Sequence, residues 1–445
     1  RANQAFSNTV LWDLIPNFAI DNMQVVAGSN PVYGLNTLGG AMSMQTKSGR
    51  NFKEKSVDVS YGSWARSASL VEMGGMVGDS NMDYYVGYEH FTENGWRKFS
   101  PSHVNQIFGK VGFESEMSRY EISYTGANNI LIGNGLTPKD LLGAERDGIH
   151  TLEDETKNEY GQLALNMSHF FDEQTMLSGN IYYKRSDRST FNGDLNDEFC
   201  DGESYDEEEC TAAQQALSKS DAENLNEGVI NRTATFQDVY GLNLQTTFDQ
   251  ALLGRRNQLI AGFSAEYSQI KFSQSEHEHL KLAASGHIGG AGDDDGIEVS
   301  TGLTGKTKTY GAFVTNTHSY TDKLNFTTAL RYNHVQVDNR DTFNAPGAGA
   351  SLTGKHHFER FNPTIGATFQ PNEILTTYAS YSESSRAPTS IELGCANEAQ
   401  PCNLPTQMAD DPPLNQVVAK TFEGGISGRM SADTNWNMSL YHATN

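Results

Sequence analysis

Apolar and polar residues alternate along most of the chain. From about residue 55 onward, runs of roughly ten residues carry apolar side chains at every second position. In one run, Leu163 and Leu165 alternate with Gln162 and Asn166. A period of two is that of a β-strand with one apolar face and one polar face. Similar runs at 120–124, 242–248, 259–267 and 324–332 predict an all-β protein.

The segments between the predicted strands are short and long in turn. Compact polar turns are predicted near 113–119, 170–175, 248–257, 320–325, 370–374 and 430–435. Long connections are predicted near 92–103, 127–159, 186–236, 271–308, 338–357 and 384–416. A transmembrane barrel has this asymmetry because its periplasmic turns are tight and its extracellular loops are large. The pattern therefore predicts a transmembrane antiparallel β-barrel rather than a soluble sandwich or propeller.

The predicted strands are too few for a closed barrel of this kind. They number about 14, with the beginning of another at Trp436–Tyr441, and bacterial barrels close with an even number of strands. Arg1 is not an initiator Met, and no signal-peptide pattern follows it. We expect the natural protein to continue beyond this sequence at both ends.

The composition argues against two classes of protein, helical membrane proteins and nucleic-acid-binding proteins. No apolar run reaches the ~18 residues that a transmembrane helix needs. The net charge of −23 disfavours nucleic-acid binding, which requires clustered Lys and Arg. Neither a helical membrane protein nor a nucleic-acid partner is expected.

Four cysteines form two local pairs in predicted long loops. Cys200 stands near Cys210, and Cys395 near Cys402, in polar segments without the C-x-x-C spacing of a zinc knuckle. We interpret them as two loop-closing disulfides, which persist in an oxidising compartment. Free or metal-binding thiols are the alternative.

Residues 1–50 lack the strand rhythm and are rich in Gly and Asn. A strand-like stretch is followed by Tyr-Gly at 33–34, Gly-Gly at 39–40 and Thr-Lys-Ser-Gly at 46–49. Glycine suits a compact domain inside a barrel, because it adopts tight turns at little steric cost. The segment closely resembles the end of the plug domain of TonB-dependent outer-membrane receptors. The matching residues are Gly28, Tyr33, Gly34, Gly39, Gly40, Thr46, Lys47 and Gly49.

The resemblance extends into the predicted barrel. The stretches that carry it are Gly95–Arg97 with Ser100–Ser102, Gly133–Pro138, and Tyr381–Pro388 with Glu392–Gly394. It implies that residues 1–50 are the C-terminal part of a plug domain and that 51–445 are an incomplete transmembrane barrel. About 14–15 strands of the family's roughly 22 would be present.

The family resemblance also implies a function. The expected activity is TonB-dependent import of a scarce nutrient, most readily a ferric siderophore or other metal complex, across the outer membrane of a Gram-negative bacterium. The expected partners are TonB with its inner-membrane complex, lipopolysaccharide or outer-membrane lipid, and a small-molecule or metal-chelate ligand. No intrinsic cofactor is expected, and no G-x-S-x-G or H-E-x-x-H motif indicates an enzyme. A surface adhesion or assembly barrel without transport is the alternative, and a passive porin conflicts with a plug.

Aromatic and charged residues near the expected entrance are ligand candidates. They are Trp12, Asp13, Tyr33, Trp96 and Arg97. Packing within the plug is the alternative role for Tyr33, and a place in the aromatic girdle that for Trp96.

A histidine-rich stretch suggests metal capture. His277, His279 and His287 stand in one predicted long loop beside Asp293–Asp295, and imidazole and carboxylate groups bind transition metals. The alternative is an ordinary solvated loop. The spacing of Glu276–His279 does not match that of a helical zinc site.

Overall fold

A computed structural model describes most of the chain. The described residues are 2–7, 9–27, 34–137, 139–152, 154–195, 227–281, 298–345, 351–394, 415–431 and 434–444. Both cysteine pairs lie outside these residues. The short helices are two 3-10 turns at Trp12–Leu14 and Asn17–Ala19, α1 (Lys139–Ala144) and α2 (Ser390–Gly394). The strands are β1 (Ile20–Ala27), β2 (Gly40–Thr46), β3 (Lys55–Tyr61), β4 (Ser67–Met76), β5 (Met82–Glu93), β6 (Ser102–Glu114), β7 (Ser118–Ile132), β8 (Asp154–Asp172), β9 (Thr175–Leu195), β10 (Glu227–Asp249), β11 (Asn257–Lys281), β12 (Glu298–Ser319), β13 (Leu324–Asp341), β14 (Gly354–Phe369), β15 (Leu375–Arg386), β16 (Val417–Ser431) and β17 (Thr434–Thr444).

The strands form one large sheet and one small hairpin. Strands β3 to β17 make a 15-stranded sheet in which each strand pairs with the next. All of these pairs are antiparallel, and β1 and β2 pair separately as an antiparallel hairpin. Strands β3 and β17 are the edges of the large sheet. The prediction of an all-β antiparallel barrel of about 14–15 strands is confirmed in its class and strand number.

Strands on one side of the sheet are longer than predicted. Strands β10 and β11 have 23 and 25 residues, whereas about 9–11 residues cross a bilayer. They therefore continue well beyond the membrane into stretches predicted as loops. The placement of Glu276–His279 in a loop was wrong, because these residues belong to β11. Regular backbone pairing continues here because the long hairpin satisfies its own hydrogen bonds in water.

The two faces of the sheet differ in character. On β9, Ile181 is 52% exposed whereas Tyr182 is 8% exposed, so successive side chains face opposite sides. Tyr183, Tyr240 and Tyr267 lie side by side on three neighbouring strands, with ring centroids 4.8 and 6.4 Å apart. Between this row of tyrosines and the short turns, the outward-facing side chains of β9 and β11 to β14 are apolar and exposed. Examples are Ile181, Phe263, Val314, Leu330 and Ile365. An apolar band bordered by aromatic rings is the lipid-facing surface of a membrane barrel. Among the described residues, no helix is both long and apolar enough to cross a membrane.

The other face of the sheet curves around residues 2–50, here called the N-terminal segment. A flat array of twelve strands would be roughly 50 Å wide, at about 4.8 Å per strand. The segment nevertheless contacts strands from β4 to β15, directly or through shared apolar clusters, so the sheet must curl around it. The wall residues that contact the segment or share an apolar cluster with it are Glu72, Tyr85, Gln106, Asn129, Asn158, Lys184, Gln237, Phe272, Leu303, Val335, Phe358 and Ser385.

Candidate functional site

The candidate site is the boundary between the N-terminal segment and the inner wall, the concave face of the large sheet. Asp13 is a central contact. Gln106 and Asn129 each donate a side-chain hydrogen bond to the Asp13 carbonyl oxygen at 2.6 Å, and Asn158 donates to its carboxylate at 2.8 Å. Asn129 and Asn158 are buried. Three adjacent strands thus hold the first 3-10 turn by amide donors.

A second contact lies near the start of the segment. The Gln237 side-chain amide accepts a hydrogen bond from the Phe6 backbone N–H at 3.0 Å and donates one to Gln4 Oε1 at 3.1 Å. The Phe6 ring stacks on Phe272 with centroids 4.8 Å apart, beside the buried Leu303. Because one amide serves two segment residues, this region of the segment is fixed in register against β10 and β11.

The Gly34–Asn36 turn rests on the wall at β13 and β15. Gly34 has φ +106°, a conformation that glycine adopts readily and other residues avoid. Leu35 is buried in a cluster with Val337 and Ala387. The Asn36 N–H donates to the Ser385 carbonyl oxygen at 3.1 Å. The turn that follows the predicted Tyr-Gly motif is therefore attached to the wall by both apolar and backbone contacts.

The wall segment beneath this turn is held by local side-chain hydrogen bonds. Thr389 and Glu392 form a capping box at α2, in which the Thr389 N–H donates to Glu392 Oε2 at 2.8 Å. Arg386 Nη1 donates to both Glu392 carboxylate oxygens, at 2.8 and 2.9 Å. Ile391 packs with Phe272 in the wall core. The Tyr381–Pro388 and Glu392–Gly394 stretches are therefore joined to each other through Arg386 and Glu392.

An ion pair joins the end of β2 to β4. Lys47 Nζ lies 2.5 Å from Glu72 Oε1, which also accepts the Tyr85 hydroxyl at 2.6 Å. The ammonium group lies 4.7 Å from the Phe52 ring centroid. Glu72 is 6% exposed and Tyr85 is 1% exposed. A buried carboxylate that is paired and hydrogen-bonded is a specific attachment point, since loss of either partner leaves a charge unsatisfied.

The chain then leaves the interior at Gly49. A Cβ atom on Gly49 would lie 2.6 Å from Tyr84 N and closer still to the carbonyl oxygens of Gly75 and Tyr84. Only glycine permits this approach between backbones. Arg50 Nε follows at 3.2 Å from the buried carboxylate of Asp83. The Thr-Lys-Ser-Gly motif thus corresponds to a tightly held exit from the interior.

Arg97 joins two of the long connections. Its guanidinium donates to the carbonyl oxygens of Gly135 at 2.9 Å and Gly148 at 3.0 Å, and to the Thr137 hydroxyl. Two stretches that carry the family resemblance, 95–97 and 133–138, therefore contact each other through this side chain. Arg97 acts as a clamp between the β5–β6 and β7–β8 connections.

Neighbouring residues support the clamp. Gly95 has φ +76° and faces Ser100, whose hydroxyl donates to the Arg97 carbonyl oxygen at 2.7 Å. Lys98 pairs with Glu145, and this hydrogen bond raises the pKa of Lys98 above its usual value. Trp96 is 50% exposed, with its ring 5.9 Å from the Arg97 guanidinium carbon. The turn fixes Arg97 and leaves the Trp96 ring open to solvent.

The remaining predicted plug-motif residues lie at the ends of β2 or outside the described residues. Gly28 and Tyr33 lie outside the described residues. Gly39 precedes β2, Gly40 begins it and Thr46 ends it. Their proposed functional importance stays a prediction.

The ligand candidates lie in two places. Trp12, 54% exposed, and Asp13 belong to the first 3-10 turn on the inner wall. Trp96 and Arg97 belong to the β5–β6 connection. In each pair the charged residue is hydrogen-bonded to protein groups and the aromatic residue is exposed.

The predicted metal residues are only partly described. His277 and His279 lie in β11, and His287 lies outside the described residues. Within the described part of the chain, no group of three His, Cys, Asp or Glu side chains is arranged to hold a metal ion. Metal capture by these histidines stays a prediction.

Sequence reasoning missed the wall residues that hold the segment. Glu72, Gln106, Asn129, Asn158 and Gln237 were not singled out. Their available signal was a large polar side chain on the polar face of an alternating strand, a feature shared by many residues that make no such contact.

Comparison with known protein families and solved structures identifies similar proteins. The family described as "TonB dependent receptor-like, beta-barrel" matches residues 96–444, most of the chain. No curated protein matches the sequence. Among solved structures, FpvA of P. aeruginosa in an iron–pyoverdine complex is similar with a TM-score of 0.70 and 15% identity, over 95% of this chain and 52% of that one.

Two further structures are similar to the same extent. The siderophore receptor PiuA of Acinetobacter baumannii gives a TM-score of 0.69 and 15% identity, over 95% of this chain and 62% of that one. The ferric-catecholate import receptor Fiu of E. coli gives 0.70 and 12%, over 96% and 63%. The chain therefore spans about half to two-thirds of the length of these receptors. At such identities the similarity establishes the fold, and the sequence match establishes the family: the chain belongs to the TonB-dependent receptors, as a β-barrel of the outer membrane.

Proposed function

We propose that the chain is part of a receptor that imports a ferric siderophore or similar iron chelate across the outer membrane with energy supplied through TonB. Residues 1–50 are assigned to the C-terminal part of the plug and residues 51–445 to the barrel. The observation that carries the proposal is the attachment of the N-terminal segment to strands β4 to β10 and β15 by discrete polar contacts.

These contacts suit a plug that is held and then released. A hydrogen bond contributes a net ~0.5–1.5 kcal/mol, since water replaces the partner when the bond opens. The wall would keep its own strand pairing while the contacts to Asp13, Gln237 and Glu72 exchange for water. A passive porin conflicts with an occupied interior, and an adhesion barrel needs no releasable contacts.

The iron-chelate class is favoured by the titles of the similar structures, which describe a pyoverdine–iron complex, a siderophore receptor and a ferric-catecholate import receptor. Trp12 and Trp96 are the best-placed ligand residues, because an exposed aromatic ring provides a large contact surface at low entropic cost. Asp13 and Arg97 are proposed to position these two rings. Tyr33 stays a ligand candidate by its place in the motif.

Uptake measurements test the proposal. The full-length receptor would be expressed in a strain without its own siderophore receptors, and uptake of a panel of iron-labelled siderophores measured with and without TonB. Saturable uptake that requires TonB is expected for at least one chelate. Binding without TonB-dependent uptake would favour the surface-receptor alternative, and a constitutively open channel in conductance measurements would favour a porin.

A pair of tryptophan variants tests the ligand assignment. W96A is expected to weaken chelate binding about tenfold, a loss typical of an aromatic contact residue. W64A is the matched control, because Trp64 is 56% exposed in the β3–β4 connection on the same side of the sheet. Equal affinities of the two variants would remove Trp96 from the site while leaving the transport proposal intact.

A further inference from the structure

The sheet has a break between β14 and β15 on the side of the long connections. The two strands pair with each other over only six residues each, and this pairing ends at Thr364 and Ser382. Beyond that point each strand still pairs with its other neighbour, β14 with β13 and β15 with β16. Pro363, which has no backbone N–H to donate, stands where the pairing ends. Residues 354–363 and 383–386 therefore border a break in the wall, here called the opening.

Side chains rather than backbone hydrogen bonds bridge the opening. Arg360 Nη2 donates to Glu383 Oε2 at 2.6 Å, and Asn362 Nδ2 donates to Ser385 Oγ at 3.2 Å. Asn362 is 0% exposed and Ser384 is 1% exposed. Within the described part of the chain, Asn362 Oδ1 and Ser384 Oγ have no hydrogen-bond partner. Because buried polar atoms are normally hydrogen-bonded, these two atoms suit a polar group that enters the opening.

The opening reaches the N-terminal segment. The Ser385 carbonyl oxygen accepts a hydrogen bond from the Asn36 N–H at 3.1 Å. Ala387 packs with Leu35 in a cluster that the partly buried Phe358 also contacts. A polar group in the opening would therefore lie beside the turn that follows the Tyr-Gly motif.

An apolar groove crosses the outer face of the sheet directly below the opening. Its floor consists of small residues that lie opposite one another on β14, β15 and β16, namely Ala367, Ala379 and Gly424. Larger side chains border the floor on the side of the opening, namely Ile365, Tyr381 and Phe422. The groove has a volume of about 610 Å³. Because Ile365 and Tyr381 form the last outward pair of the β14–β15 ladder, the groove begins where the opening ends.

The width of the groove suits one hydrocarbon chain. Ile365 and Phe369 stand on its two sides and are separated by four positions on β14, or roughly 13 Å. Side chains project into this width and leave less than the ~10–12 Å diameter of an α-helix. A helix of a partner protein or a membrane lipid with several tails is therefore too wide, whereas a single acyl chain fits.

We propose that the opening and the groove together bind an amphiphile with one acyl tail, its polar head in the opening and its tail in the groove. The opening adjoins the Phe361 and Tyr381 rings on the outer face, and such rings lie at the level of lipid headgroups. The head would thus stay in the polar interface and the tail in hydrocarbon. The Ser384 hydroxyl can donate a hydrogen bond and Asn362 Oδ1 can accept one, which suits an amide or hydroxamate head. This inference rests on the import function proposed above for the identity of the amphiphile, an iron chelate that carries an acyl tail.

Photo-crosslinking of the full-length receptor in phosphatidylcholine vesicles tests the site. The probe is dodecanohydroxamic acid with a diazirine at the end of its tail, and the labelled peptides are identified by mass spectrometry. Labelling is expected in β14 to β16. Excess unlabelled dodecanohydroxamic acid should suppress it, and acetohydroxamic acid, which lacks the tail, should not. Equal labelling of all strands would overturn the proposal, because the probe would then behave as an ordinary membrane lipid.

The variant A379F fills the groove, and A261F is its matched control. Ala261 is an exposed alanine on β11 that lies directly opposite the outward-facing Val314. A379F should lower labelling about tenfold, the loss expected when about two methylene groups leave an apolar site, and A261F should leave it unchanged. S384A should weaken labelling several-fold, because one hydrogen bond to the head is lost. Equal effects of A379F and A261F would overturn the proposal.

Uptake measurements separate this site from the import function. A hydroxamate iron chelate would be supplied with and without a dodecanoyl tail, in cells with and without TonB. The acylated chelate is expected to be preferred, and A379F should remove the preference. TonB-dependent uptake with no such preference would overturn the assignment of the substrate. Labelling confined to β14 to β16 without any TonB-dependent uptake would support the site and contradict the import function.

Discussion

At the scale of single residues, the exit of the N-terminal segment depends on one missing side chain. The backbone of Gly49 approaches Gly75 and Tyr84 more closely than a Cβ atom allows. We predict that G49A lowers the free energy of unfolding by about 1–3 kcal/mol, the usual destabilisation caused by overpacking. The measurement is urea unfolding of the full-length receptor in lipid vesicles, combined with hydrogen exchange at β2.

The control for this prediction is G39A. No atom lies within 4 Å of a Cβ placed on Gly39, so its substitution should leave both stability and exchange unchanged. If G39A and G49A destabilise equally, backbone flexibility rather than close approach is the reason for the glycines.

A second residue-scale prediction concerns the Lys47–Glu72 pair. E72A leaves the Lys47 ammonium without its partner, and should cost about 3 kcal/mol because a partly buried charge is left uncompensated. K47M should cost less, since the Tyr85 hydroxyl still donates to Glu72. In a double-mutant cycle we expect a coupling energy of about 0.5–3 kcal/mol. Strictly additive effects would contradict the assignment of the pair as an attachment point.

At the scale of elements, the 95–97 and 133–138 stretches join the β5–β6 and β7–β8 connections. Arg97 donates to carbonyl oxygens in the β7–β8 connection that have no other described side-chain donor. We predict that R97A raises hydrogen exchange in residues 133–148 about tenfold and makes this region sensitive to added protease on intact cells, while β5 to β8 keep their protection.

R66A is the matched control for the clamp. Arg66 is an exposed arginine in the β3–β4 connection, and its guanidinium lies 3.9 Å from the Glu93 carboxylate and over the Phe91 ring on β5. Its removal should leave exchange in 133–148 unchanged. The clamp interpretation fails if R97A likewise leaves that exchange unaltered.

The comparison of sequence and structure is clearest for these elements. Alternation predicted the strands because inner and outer faces of the sheet meet different surroundings, and the short turns were predicted because they interrupt that pattern sharply. The ends of β10 to β12 were not predicted, since outside the membrane both faces are polar and the alternation disappears. Gly49 was recognised by its motif, but its contact to Tyr84 joins residues 35 positions apart. No local pattern reports such a pairing.

At the scale of the whole molecule, one curved sheet separates two environments. Its inner wall presents amides and carboxylates to the N-terminal segment, whereas its outer face presents apolar side chains bordered by tyrosines. Contacts and shared apolar clusters with the segment are spread over twelve strands, so the wall holds it at many points. Under the import function proposed above, displacement of the segment would require many contacts along the wall to exchange for water, which suits energy supplied through TonB.

This division of faces gives the last prediction. Ile181 faces outward within the apolar band and is 52% exposed, whereas its neighbour Asn180 faces inward, where its side-chain Oδ1 accepts a hydrogen bond from Asn243 Nδ2 at 2.9 Å. I181R should destabilise the inserted barrel by about 2–4 kcal/mol, because the cation enters hydrocarbon. N180R places the same side chain one residue away in a polar interior and should cost less than about 1 kcal/mol. Unfolding from lipid vesicles measures both. A larger loss for N180R would mean that the two faces are assigned the wrong way round, since the substitutions differ only in the side of the sheet that receives the charge.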